Sequence, residues 1–83
     1  MRLTLYGKPD CHLCHELKAE LLLLQEEFGF LLTERNIEES PDDLARYRFL
    51  IPVLDFEDGP VHYPPHDMQA IRAALIANDS QGC

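Results

Sequence analysis

Leu3-Thr4-Leu5-Tyr6-Gly7-Lys8-Pro9-Asp10-Cys11-His12-Leu13-Cys14 is the stretch whose reading decides the fold. Its first four residues form a short apolar run that reads as a strand, with Leu3 and Leu5 on one face. Gly7-Lys8-Pro9-Asp10 is a turn signal. A helical pattern begins at the second residue of the Cys-x-x-Cys motif, so Cys11 stands at a helix N-terminus. Partial positive charge there favours thiolate over thiol. Thiolate is the attacking species in thiol–disulfide exchange. Two thiols at this spacing can close a small disulfide and reopen it, which points to redox chemistry.

Working outward, Leu13, Leu17, Leu21, Leu24 and Phe28 repeat at helical spacing and predict one buried stripe from about Leu13 to Phe28. Gly29 is the expected C-cap. Phe30 to Ile37 reads as a second strand, although Glu34, Arg35 and Asn36 break its alternation. Ser40-Pro41-Asp42-Asp43 is a helix start: Ser40 caps, Pro41 fits the first turn, and the acids complement the dipole. That helix is expected through about Phe49, with Leu44 and Tyr47 on one face. Pro52 to Phe56 predicts a third strand, with proline tolerated at its first position. Asp58-Gly59 is a hairpin signal, and Val61-His62-Tyr63 the short returning strand. Pro64-Pro65 stops it. A last helix is expected from about Asp67 to Ala77, with Met68, Ile71 and Leu75 inward. The order is β-α-β-α-β-β-α. Its simplest packing is an α/β fold with a four-stranded mixed sheet and helices on both faces.

Eighty-three residues make one small domain, expected over 1–78, with a flexible C-terminal tail at 79–83. An apolar fraction of 46% argues against disorder. Seven Lys and Arg against fifteen Asp and Glu leave a net charge of −8. That disfavours nucleic acid and anionic membrane as partners. The start, Met1-Arg2-Leu3-Thr4-Leu5-Tyr6, lacks the apolar core of a secretory signal. A cytoplasmic monomer is therefore expected, and in a reducing compartment paired cysteines are more often catalytic or metal-binding than structural.

The element order, with Cys-x-x-Cys at the first strand–helix junction, resembles the glutaredoxin form of the thioredoxin fold. Ile51-Pro52-Val53 opens the third strand where that fold places a cis-proline beside its active cysteines. Tyr63-Pro64-Pro65-His66-Asp67 resembles the aromatic-Pro-x-Asp stretch of a small bacterial glutaredoxin-like family. The resemblance implies a thiol–disulfide oxidoreductase with no resident cofactor, acting on a disulfide-containing protein or a small thiol, with glutathione as a possible co-substrate. It implies that Cys11 is the nucleophile and that Cys14, one turn into the helix, resolves the mixed disulfide. A cis Pro52 would then hold the strand start against Cys11 and leave the Ile51 backbone groups free to pair with a substrate peptide. Glutathione-using relatives carry a Gly-Gly pair before the last helix. Here two prolines stand in that stretch and remove two backbone donors. Lys8 and Asp67 are the candidates for a glutathione carboxylate and ammonium.

His12, beside Cys11, is a candidate for tuning the cysteine pKa when protonated. Alternatives use the same cysteines. Cys11-His12-Leu13-Cys14-His15 matches the c-type haem attachment pattern, with Met68 as a second axial ligand. A zinc or iron–sulfur module could draw on His12, His15, His62 or His66. A redox-sensing adaptor would keep the fold without turnover. Cys83, the odd cysteine, is given no role.

Overall fold

The computed structural model describes residues 1–57 and 59–81. Its elements are β1 (Arg2–Gly7), α1 (His12–Phe28), β2 (Leu31–Asn36), a single 3₁₀ turn (Ile37–Glu39), α2 (Pro41–Tyr47), β3 (Val53–Phe56), β4 (Val61–His62) and α3 (Met68–Gln81). The strands lie in the order β2-β1-β3-β4. β1 pairs in parallel with β2, from Arg2 opposite Leu31 to Gly7 opposite Asn36. It pairs antiparallel with β3, from Leu3 opposite Phe56 to Tyr6 opposite Val53. β4 closes the edge, with His62 opposite Leu54. This is the mixed four-stranded sheet with three helices that the element order predicts.

The period-two alternation of the two central strands sorts the core into two layers. Leu3 and Leu5 of β1 and Leu54 and Phe56 of β3 face one way and pack with Leu17 and Leu21 of α1 and Ile71 and Leu75 of α3. Tyr6 and Val53 face the other way and pack with Ile37 and with Tyr47 of α2. Hence α1 and α3 cover one face and α2 the other. Arg72 of α3 forks onto the Glu27 carboxylate of α1 and ties the two helices at the surface.

The local signals explain the boundaries. Gly29 adopts φ 72°, a left-handed conformation that suits glycine, and its N–H donates to the Gln25 carbonyl at 2.8 Å. Ser40 caps α2 by accepting from the Asp43 N–H at 3.4 Å. The edge strand β2 is mostly exposed, which is why its alternation is broken, while Phe30 and Ile37 at its two ends are buried.

Several expectations are corrected. α2 stops at Tyr47, two residues short of Phe49, because the Leu50 N–H turns back to the Tyr47 carbonyl at 2.8 Å; Phe49 is left 85% exposed. Leu44 is more exposed than its expected partner Tyr47. β4 ends at His62, before Tyr63, where Pro64 and Pro65 supply no ladder donors. α3 runs to Gln81, past Ala77. Leu13 leaves the apolar stripe and is 56% exposed. The strand beneath the first turn of α1 ends in Gly7, and the side chain that rests there is Cys14. Asp58 of the hairpin turn, and Cys83, lie outside the described residues.

The core position Leu21 is inaccessible and Leu23, two residues on, is 65% exposed. Leu21→Ala is expected to lower the unfolding free energy by about 2–5 kcal/mol. Leu23→Ala should stay within about 0.5 kcal/mol of the parent in urea titrations.

Candidate active site

The turn after β1 brings the chain to Cys11, whose N–H donates to the Lys8 carbonyl at 3.2 Å. Cys11 is the N-cap of α1, in an extended conformation (φ −96°, ψ 109°). Its Sγ accepts a hydrogen bond from the Cys14 N–H at 3.2 Å, and its carbonyl accepts from the His15 N–H at 3.2 Å. A cysteine here stands where serine, threonine or aspartate usually caps a helix. The backbone N–H that would satisfy their oxygens is aimed at sulfur. A thiolate at Cys11 therefore gains both a hydrogen bond and the positive end of the helix.

Cys14 lies one turn on, with its Cα 5.2 Å from that of Cys11, within the span that a disulfide bridges, and the two sulfurs are paired. The pair is unequal. Cys11 is half-buried and Cys14 is only 6% exposed. A reagent in solution meets Cys11 first.

Gly7 is the site residue that sequence reasoning missed. A Cβ at this position would lie 2.8 Å from the Cys14 Sγ and 3.2 Å from its Cβ. Glycine here makes room for the buried sulfur. The visible signal was a glycine closing the strand before the motif, which reads first as part of the turn. Pro52 directly precedes Val53, which pairs with Tyr6, the residue before Gly7, and Pro52 lines a depression together with Leu13. Pro52 is fully buried and Ile51 half-buried against the α2 side of the core. The Ile51–Pro52 and Pro64–Pro65 peptide bonds are both cis.

The remaining candidates separate. His12 is turned to solvent, with its Nε2 3.1 Å from the Glu16 carboxylate one helical turn on. Lys8 Nζ lies 4.0 Å from Asp10. Asp67 Oδ1 accepts from the Gln69 N–H at 2.9 Å and so caps α3. His15 Nε2 donates to the Pro9 carbonyl at 2.6 Å and holds the turn before Cys11. His66, a candidate metal ligand by sequence, is engaged elsewhere. Its Nε2 donates to the Pro52 carbonyl at 2.6 Å, joining the segment before α3 to the segment before β3.

His62 packs on the Phe56 ring at 5.4 Å. Burial, and then the neighbouring His66, hold its pKa below the ordinary histidine value. The Nε2 of His62 and the Nδ1 of His66 have no hydrogen-bond partner. Among the described residues, no three His, Cys, Asp or Glu side chains converge as a metal site would require.

Two depressions border the first turn of α1. A cleft of about 340 Å³ behind Cys14 is bordered by Lys8, His15, Lys18 and Arg35. The charge of its cations is matched, Lys18 by Glu34 and Arg35 by Asp43, each at 3.1 Å. The second depression, about 560 Å³, runs from Leu13 past Pro52 and His66 to Met68.

A β-α-β-α-β-β-α sheet with a Cys-x-x-Cys pair capping its first helix defines a thioredoxin-fold protein of glutaredoxin type. The sequence profile of the glutaredoxin-like domain (DUF836) matches residues 2–76, and the chain belongs to that family. It is similar to the X-ray structure of Northeast Structural Genomics target protein XcR50 from X. campestris. There the identity is 33% and the TM-score 0.70, over 90% of this chain and 96% of that one. It also superposes on thioredoxin 1 from the thermophilic eubacterium Thermosipho africanus TCF52B. That match has a TM-score of 0.79 at 11% identity, over 99% and 98% of the two chains, and shows a shared fold. No curated protein matches the sequence.

Two outcomes follow from this geometry. Gly7→Ala pushes on a sulfur that the disulfide holds in place but that a free thiol can turn away. The variant should therefore favour the dithiol and raise the reduction potential, as read by alkylation in redox buffers. For His62, the folded pKa lies below the unfolded value, so between the two the unfolded chain binds more protons and stability rises with pH. Stability should be lost as pH falls below about 6.5, and His62→Gln should flatten the slope in urea titrations between about pH 7.5 and pH 5.5.

Proposed function

We propose that this chain is a thiol–disulfide oxidoreductase working through Cys11 and Cys14. The observation that carries the reading is the inequality of the pair. One sulfur is reachable and held by a helix N-terminal N–H; the other is buried one turn behind it, on Gly7. Cys11, as thiolate, attacks one sulfur of a substrate disulfide. A Cys11–substrate disulfide forms, the substrate S–S bond breaks, and the leaving thiolate takes a proton from water. Cys14 then gives up its proton and attacks the Cys11 sulfur, releasing the second substrate thiol. Two electrons pass to the substrate and leave the Cys11–Cys14 disulfide, which a dithiol or glutathione must reduce before the next turnover.

Ile51, two residues before the Tyr6–Val53 pair, would offer its backbone to a disulfide-containing protein, while Pro52, whose carbonyl is taken by His66 and which has no N–H, would hold that segment in place. His12 adds positive charge near Cys11 when protonated, although it is turned toward Glu16. Lys8 and Asp67, the residues named for glutathione, face Asp10 and cap α3 respectively. A reductase with its own dithiol is thus the better-supported electron donor, and glutathione the second. The protein needs no bound cofactor for this chemistry. A monomer in the reducing cytoplasm suits it, and a net charge of −8 supports neither nucleic acid nor membrane as partner.

Equilibration against glutathione buffers, followed by alkylation and mass spectrometry, tests the reading. A single two-electron transition assigned to Cys11 and Cys14 is expected. Cys11→Ser should lower disulfide reduction by at least about a hundredfold, since no thiolate remains at the reachable position. Cys14→Ser should still react but accumulate the mixed disulfide. The absence of a Cys11–Cys14 disulfide at every poise would sink the proposal.

A further inference from the structure

The depression of about 560 Å³ along α1 has no part in the electron transfer proposed above. Its walls are apolar: Leu13 and Leu17 of α1, Pro52 before β3, Pro64 and Pro65 of the crossing segment, and Met68 at the start of α3. Its charged border is acidic, formed by Glu16 and Glu20, one turn apart on the exposed side of α1. Among the described residues no Lys or Arg lines it. The groove also reaches the first turn of α1. Leu13, on its wall, stands between the two cysteines in the chain, and Pro52, also on its wall, precedes Val53, the partner of Tyr6 beside Gly7. A polypeptide whose cysteine is attacked by Cys11 can lay its neighbouring residues along this groove.

We infer that the groove selects the disulfide substrate, a polypeptide in which a bulky apolar residue and a Lys or Arg flank the reacting cysteine. The inference rests on the oxidoreductase reading and names the substrate class of that same site. The apolar side chain removes surface from water against Leu13, Leu17 and Met68. The cation answers Glu16 and Glu20, and the net charge of −8 draws such a partner in from solution.

Glutathione has the opposite character, with two carboxylates to one ammonium group. The groove meets those carboxylates with acids, and Pro64 and Pro65 present no backbone N–H to them. Among the described residues His66 is the histidine on its wall, and it spends its Nε2 proton on the Pro52 carbonyl. Glu16 is shared with His12 at 3.1 Å, so Glu20 is the carboxylate with the freer claim on a substrate cation.

The reaction tested is a single turnover. The protein dithiol and a peptide disulfide give the protein disulfide and two peptide thiols, two electrons and two protons passing to the peptide. The protein is reduced with dithiothreitol, freed of it, and mixed in stopped flow with disulfide dimers of blocked Leu-Cys-Lys, Leu-Cys-Glu and Gly-Cys-Lys peptides. Glutathione disulfide and uncharged hydroxyethyl disulfide complete the series. Each rate is divided by the rate of the same probe with dithiothreitol, which removes differences in intrinsic reactivity.

Leu-Cys-Lys should exceed Leu-Cys-Glu by about five- to thirtyfold at low salt. The ratio should shrink as salt screens the carboxylates. Gly-Cys-Lys and glutathione disulfide should both be slower than Leu-Cys-Lys. The double variant Glu16→Gln, Glu20→Gln should bring the Lys-to-Glu ratio toward one. Equal rates for the three peptides, or glutathione disulfide as fast as Leu-Cys-Lys, would overturn the inference. If hydroxyethyl disulfide still oxidises Cys11 and Cys14 in that case, the oxidoreductase reading survives and only the groove's role falls. If no probe oxidises the pair, both fall together.

Discussion

The contact of Cys14 with the backbone of Gly7 is the constraint around which this site is arranged. A side chain at Gly7 would enter the space that the Cys14 sulfur occupies, so the helix can sit this close to the strand only over a glycine. That closeness buries one sulfur. The turn Lys8-Pro9-Asp10, pinned by His15 on the Pro9 carbonyl, leaves the other sulfur at the helix mouth. An unequal pair results from a packing requirement at one residue. The division of labour proposed for the cysteines follows from it.

The two layers of the core keep that junction rigid. Alternation along β1 sends Leu3 and Leu5 toward α1 and α3 and Tyr6 toward α2, so β1 is held from both faces at the point where the motif begins. β3 does the same with Leu54 and Phe56 on one side and Val53 on the other. Pro52, the residue before this strand, is buried, and His66 reaches across to its carbonyl. The segment that would meet a substrate is thus anchored to the sheet, to α2 through Ile51 and to the α3 entry through His66. Preorganisation of this kind lets the reacting groups be positioned without ordering a loop at each encounter.

Charge is distributed unevenly about the same centre. The cations near Cys14 are matched by acids of their own, whereas the groove on the Leu13 side is bordered by acids alone. On the proposed reading, the disulfide of a small anionic thiol and that of a cationic polypeptide would meet this border differently, although Cys11 would attack a sulfur of either. Thiol–disulfide exchange needs little beyond a reachable thiolate and a resolving thiol, so discrimination falls to the surroundings of the pair.

Much of this was legible along the chain because the signals are local. Helix caps at Ser40 and Gly29, the alternation of Leu3 and Leu5, and Cys-x-x-Cys after a strand and turn each depend on residues a few positions apart. They determined the elements, their order and the two cysteines at the head of α1. Where the local rule was pushed too far, tertiary contact decided otherwise. Leu13 fits the stripe of α1 by spacing, but Cys14 takes the place over Gly7 and Leu13 turns out to border a groove. Asp67, the candidate for an ammonium group, also caps α3 through the Gln69 N–H, a contact only two residues long. The room that Gly7 leaves for Cys14, the bond from His66 to Pro52 and the acid-bordered groove were decided only by the fold. Each brings together segments that no local period connects, and the packing of α1, β3 and the α3 entry around β1 is what makes them neighbours.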